Sequence, residues 1–154
     1  MGVQYGWYIP DHVIYINFYN RVTTDEFIAM NEHLESMIAR SQAEMIHIIQ
    51  DEGNIKSAPP QFGTLIDHSV IARGQINGWV ISIRKDSEHN VMKFISTAFA
   101  RIGNTRHERF FHLEEAEAYL EAVDPELDFY QARRHFLEKT ISREELFSST
   151  LFTS

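Results

Sequence analysis

Side chains in the segment VIYINFYN, residues 13–20, sort with a period of two: Val13, Tyr15, Asn17 and Tyr19 share one face, and Ile14, Ile16 and Phe18 the other. The purely apolar Ile14, Ile16, Phe18 face is the one expected against a core. Before it, VQYGWYI forms a second extended run. Pro10, Asp11 and His12 separate the two with turn chemistry, so the pair reads as a hairpin. The period then lengthens. In TTDEFIAMNEHLESMIARS, Phe27, Met30, Leu34, Met37 and Ile38 recur at helical spacing, and Thr23 with Glu26 has the spacing of a capping box.

The alternation of strand and helix continues along the chain. EMIHIIQD is short, apolar and rich in β-branched residues, as a strand buried on both faces requires, and its apolar run stops at Asp51. A polar stretch follows, and from Pro60 a helix is expected with Phe62, Leu65, Ile66 and Ser69 or Val70 at helical spacing and Gly74 at its exit. GWVISIR reads as a strand. The helix after it places Val91, Phe94, Ile95, Ala98, Phe99 and Ile102 in near-ideal order and closes at Gly103. RHERFFHL reads as the last strand, with His107 and His112 on opposite faces. EEAEAYLEAV is a helix with Ala116, Tyr119, Leu120 and Val123 inward, stopped by Asp124 and Pro125.

This order implies an α/β fold: a mostly parallel sheet with an antiparallel N-terminal edge strand and helices packed on it, because parallel neighbours need helical crossovers. The expected domain spans residues 1–127, followed by a C-terminal helical extension over 128–154. That extension carries Phe129, Phe136, Leu137, Leu146, Phe147, Leu151 and Phe152, too much apolar surface for a free tail. Burial against its own domain and burial in a homodimer both satisfy it.

Composition narrows the chemistry. The chain has 154 residues and no Cys, which excludes disulfides, thiolate catalysis and Cys-based metal sites and agrees with a cytoplasmic setting. A net charge of −8 argues against a nucleic-acid partner, since Lys and Arg cluster only in fragments such as Arg133 and Arg134. No apolar run reaches the roughly 18 residues that span a bilayer, and the opening residues are not read as a signal peptide, so no membrane insertion is expected. The eight His residues show no i, i+4 pair of the kind that holds zinc on a helix, and no metal or other cofactor is expected.

No nucleophile elbow or Gly-rich phosphate loop occurs, so an enzyme is not the expectation. The best-placed candidate site is the polar stretch Asp51, Glu52, Asn54, Lys56 and Ser57, read as a loop at the carboxyl end of a central strand, where open α/β sheets hold ligands. Arg84 and Lys85 end the next strand at the same sheet edge and are the cations an anionic ligand would meet. Ser57, just before Pro59 and Pro60, is a candidate phosphoacceptor at a helix start, although a capping or turn role is the plainer explanation.

The hairpin WYIPDHVIYINFYN, the helix start TTDEF, the strand and following residues MIHIIQDEGNIKS, the strand GWVISIR and the run RFFHLEEAEAYL resemble SpoIIAA-like, or STAS, domains. These are anti-sigma-factor antagonists and their relatives, sometimes grouped with SEC14-like domains, and the likeness is to a little-characterised bacterial subgroup. It covers Gln4 to about Leu127. The resemblance implies a non-enzymatic module that binds a partner protein, switched in some members by phosphorylation of a Ser or Thr that follows the central strand. Asp51 matches the strand-end acid of that motif, but Glu52, Gly53 and Asn54 follow without a hydroxyl, and Ser57 arrives several residues late. The expectation is therefore a regulatory or protein-interaction module without the usual phosphoswitch, with a small-molecule or lipid-binding module as the alternative.

Overall fold

The structure, a computed structural model, describes residues 2–57, 65, 69–71, 76–84 and 106–132. Five strands form one sheet in the order β1-β2-β3-β4-β5: β1 Val3–Ile9, β2 Val13–Arg21, β3 His47–Ser57, β4 Trp79–Ile83 and β5 Arg106–Phe110. β1 pairs antiparallel with β2, and every later neighbour is parallel. The expected hairpin forms at Pro10–His12: the His12 N–H donates to the Ile9 carbonyl at 3.0 Å, and Asp11 takes the positive φ of 66° that Asp tolerates better than most residues.

Helix α1, Thr24–Arg40, crosses from β2 to β3. Thr23 caps it, its hydroxyl accepting the Glu26 N–H at 3.2 Å, and the Glu26 carboxylate accepts the Gly2 N–H at 2.6 Å, which ties the helix start to the edge strand. Its Phe27, Met30, Leu34 and Met37 pack on Ile14, Ile16, Phe18, Ile48 and Val80 of the sheet. The period-two and period-3.6 patterns thus meet as the sequence implied.

The opposite sheet face is also buried, contrary to the expectation that only Ile14, Ile16 and Phe18 of β2 face a core. Helix α2, Leu113–Val123, covers it, so Tyr8, Val13, Tyr15, Ile49, Ile81 and Ile83 form a second cluster with Ala116 and Leu120. Parallel sheets hide both faces in this way. Within α2, Val123 is exposed rather than inward, and Glu117 is buried instead, where its carboxylate accepts the Tyr8 hydroxyl at 3.0 Å. A polar residue whose partner is fixed by the fold is invisible to an apolar pattern.

His47 joins β3 and β4 to the end of α2. The Trp79 N–H donates to its Nδ1 at 2.9 Å, so the ring proton sits on Nε2, which donates to Asp124 Oδ2 at 2.8 Å. Gly78 makes room for this ring: a Cβ there would lie 2.2 Å from the Ile46 carbonyl oxygen and 2.8 Å from His47 Nδ1.

Past α2, Leu127 and Phe129 are buried in the second cluster, and the Phe129 ring lies 5.7 Å from that of Tyr8, leading into a 3-10 turn at Phe129–Gln131. The segment after residue 127 therefore starts by packing on its own sheet. The remainder of the proposed extension, the helix expected over 91–103 and most of the one expected from Pro60 lie outside the described residues. Of the latter, Val70 and Ile71 are buried in the α1-side core. Phe129→Ala empties a fully buried ring site and is expected to cost about 3 to 5 kcal/mol in urea unfolding; a loss below about 1 kcal/mol would show that this packing does not hold the domain together.

Candidate functional site

The polar stretch expected as a loop after Asp51 is strand. β3 continues to Ser57 alongside β2, with Tyr19 opposite Asn54, Asn20 opposite Ile55 and Arg21 opposite Ser57. Two bulges permit this. Asn17 to Tyr19 on β2 spans the same length as Asp51 to Asn54 on β3, one residue more, and a second shift follows at Asn20 and Arg21. Asp51 stabilises the first bulge: its Oδ1 accepts the Gly53 N–H at 3.0 Å and its Oδ2 accepts the Tyr15 hydroxyl at 2.9 Å. Burial, followed by the Asp51 charge, holds the Tyr15 hydroxyl well above its ordinary pKa, so it stays a donor.

The candidate residues therefore separate. Asn54 and Lys56 are exposed with Ile55 buried between them, an alternation typical of a strand, and Ser57 is half-buried at the strand end with its carbonyl accepting the Val22 N–H. Lys85 lies outside the described residues. Glu52 is not a solvated loop acid: it is 1% exposed and points into a polar cluster with the neighbouring strands.

That cluster occupies the α1-side face where β3, β4 and β5 run side by side. Gln50, wholly buried, donates through Nε2 to Glu52 Oε1 at 3.1 Å and to Ser82 Oγ at 3.0 Å. Ser82 and His107 Nε2 are 2.8 Å apart. Ser82 Oγ thus accepts from Gln50 and shares a hydrogen bond with His107 Nε2 whose direction follows the imidazole tautomer. Arg109, two residues along β5 and paired with Ser82, stands on the same side, as does Arg84 just beyond β4. Arg84 is anchored through its own N–H to the Phe110 carbonyl at 2.9 Å.

Electrostatics follow from this burial. Desolvation pushes the Glu52 carboxyl up from 4.5 to about 8, against the opposing pull of Arg84 and Arg109 and with a smaller push from Asp51. Desolvation and then the same two guanidiniums hold His107 down from 6.5 to about 4. At neutral pH both groups are neutral, and the net charge of the cluster belongs to the arginines. Gln50 Oε1 and Glu52 Oε2 have no hydrogen-bond partner among the described residues.

Gln50, Ser82 and Arg109 were not singled out in the sequence, and His107 only as a strand residue facing away from His112. Their signal is a polar residue at the same parity in three successive apolar or mixed strands, IHIIQD, WVISI and RHERF, and it becomes readable only once the strand register is known. His112, expected on the last strand, instead caps α2, because β5 ends at Phe110. His33 meets Tyr5, its Nδ1 lying 2.8 Å from the phenol oxygen. Among the described residues no group of three or more His, Asp or Glu is arranged to hold a metal ion, and no helix is long and apolar enough to cross a membrane.

A five-stranded mixed sheet with one antiparallel edge pair and helices on both faces defines an α/β domain of the SpoIIAA-like kind. Among solved structures the chain resembles an uncharacterized protein of the DUF3478 family with a SpoIIAA-like fold from Shewanella loihica PV-4, at a TM-score of 0.58 and 14% identity, over 77% of this chain and 94% of that one. No protein-family model matches the sequence, and no curated protein matches it. The expected SpoIIAA-like, or STAS-like, fold is therefore present.

The two buried groups give stability opposite pH dependences. Folded Glu52 keeps a proton that the unfolded chain releases above about 4.5, so its contribution to stability falls as pH rises from there to about 8. His107 stays neutral while the unfolded chain protonates near 6.5, so its contribution falls as pH drops from there toward about 4. Between pH 6.5 and 8 Glu52 acts without His107. Across that window the parent chain is expected to lose about 2 kcal/mol relative to Glu52→Gln, measured by urea unfolding. Parallel stability curves for the two proteins would contradict a buried neutral acid.

Proposed function

We propose that the chain is a non-catalytic regulatory or protein-interaction module on the SpoIIAA-like fold, acting without a phosphoswitch at Ser57. The observation that carries this reading is the extension of β3 past β4. β4 pairs with β3 only through Asp51, so Glu52–Ser57 is bound on its β2 side while no strand among the described residues pairs its other edge. An open strand edge offers backbone donors and acceptors to an incoming segment, with exposed Asn54 and Lys56 beside it to select the partner. Ser57 supports the second half of the proposal, since it is a strand residue opposite Arg21 and not the first residue of a helix. The expected partner is a protein, in a cytoplasmic setting, with a homodimer formed through the Phe-rich segment after residue 132.

A small-molecule or lipid-binding module is the second reading, favoured by the buried polar atoms of Gln50 and Glu52 that lack partners beside Arg84 and Arg109.

Affinity capture from the native cell tests the first reading. The parent chain is expected to retain a specific protein that the double variant Asn54→Lys, Lys56→Glu recovers at about one fifth or less; Ser57→Ala and Ser57→Asp are expected to match the parent. Equal recovery by the edge variant would remove the strand edge from the interaction, and a changed capture by Ser57→Asp together with phosphate on native Ser57 would restore the switch. Light scattering on the same preparations is expected to give a dimer that becomes a monomer when residues 133–154 are removed. A monomeric parent chain would exclude the dimer.

A further inference from the structure

Folded proteins leave few buried polar atoms unpaired, because each costs about 1 to 3 kcal/mol when nothing replaces its water. Glu52 Oε2 and Gln50 Oε1 are two such atoms, side by side on β3, in residues 1% and 0% exposed. Beside them stand two cations that work against each other: Arg84 is destabilised as a cation by burial and by Arg109, and favoured by Glu52. The two unpaired buried oxygens are poor for folding alone. Exposure falls from Arg109, on the surface, through half-buried Arg84 to buried Glu52 and Gln50, so the cluster is graded inward from solvent.

We propose that this cluster binds a small oxyanion-bearing ligand, with a carboxylate or phosphate group held by the guanidiniums of Arg84 and Arg109 and met from beneath by the buried Glu52 Oε2. The proposal rests on the ligand-binding reading and adds the chemical class.

The hydrogen bonds supply the direction. Gln50 donates one amide hydrogen to Glu52 Oε1, which makes that oxygen the acceptor and leaves Oε2 to carry the acid proton toward the ligand. Its other hydrogen goes to Ser82, which is hydrogen-bonded to His107. Among the described residues, Arg84, Arg109 and a hydrogen bond with Ser82 favour the ionised form of Glu52, Asp51 opposes it, and burial outweighs them all. A cationic ligand would meet two guanidiniums. An oxyanion meets two charge-assisted donors and one hydroxyl, and fixed donors of this kind give most of their strength where water is excluded.

Calorimetric titration of the full chain tests this with sodium sulfate, whose charge is constant across the neutral range, with inorganic phosphate, and with phosphatidylcholine vesicles with and without phosphatidic acid. Saturable binding is expected, weakened about tenfold or more by Arg109→Ala, a surface change whose folding circular dichroism verifies. Glu52→Gln keeps a donor in place. It is expected to bind sulfate at pH 7 and to lack the decline in affinity that the parent chain shows as pH rises through about 8. Binding of the free anions places the ligand among soluble metabolites, and binding confined to phosphatidic acid vesicles and sensitive to Arg109 places it in a lipid headgroup; both support the oxyanion site. Equal affinity in Arg109→Ala, or a flat pH profile in the parent chain, would overturn it. A neutral molecule retained in native mass spectrometry, with no anion bound, would overturn the class and spare the ligand-binding reading. Neither a retained molecule nor a bound probe would overturn both.

Discussion

Gln50 sits at the centre of the sheet, fully buried, and its amide has to satisfy two neighbours at once, Glu52 on its own strand and Ser82 on the next. Much of the carboxyl end of the domain depends on that constraint. Both hydrogens of Nε2 are committed, Ser82 is hydrogen-bonded onward to His107, and Glu52 Oε2 has no partner among the described residues. A chain of neutral groups thus links β3, β4 and β5 under a pair of arginines. Breaking it by removing one member would strand the others in a dry interior, which is far more costly than the modest net value of any one of its bonds.

The other end of the same strand has been built with opposite economy. His47 is equally buried but has both ring nitrogens matched, one to the Trp79 N–H and one to Asp124. Burial holds its pKa down while Asp124 pulls the other way, and Gly78 is small enough to let the ring in. Its bonds lock β3 and β4 to the end of α2 and leave nothing for a ligand. The contrast is between a satisfied end, which fixes the domain, and an end where two buried oxygens lack a partner among the described residues.

Legibility in the sequence divided along similar lines. The α1 stripe of Phe27, Met30, Leu34 and Met37, the Pro10–His12 turn and the alternation of strand and helix were readable because local periodicity and turn chemistry encode them directly. The extension of β3 was not, because it depends on bulges opposite Asn17 and Asn20 and on the bond of Asp51 to Gly53, while the sequence offers only a polar run that looks like a loop. Of the residues expected at the sheet edge near Asp51 and Arg84, only Glu52 and Arg84 join the polar cluster. Ser82, His107 and Arg109 are brought to it by parallel register across three strands, a non-local property that no window of sequence contains.

In the proposed anion site, the state of Glu52 separates a receptor for an anion from an ion-pair network. It can be read directly from the side-chain carboxyl carbon of Glu52 in an NMR pH titration of the full chain. A midpoint near 8, far above the ordinary 4.5, is the result expected of a neutral acid beneath two arginines. A midpoint at or below 4.5 would mean that Glu52 is ionised and already paired with Arg84 and Arg109, and the cluster would then be a closed salt bridge with no requirement left to fill.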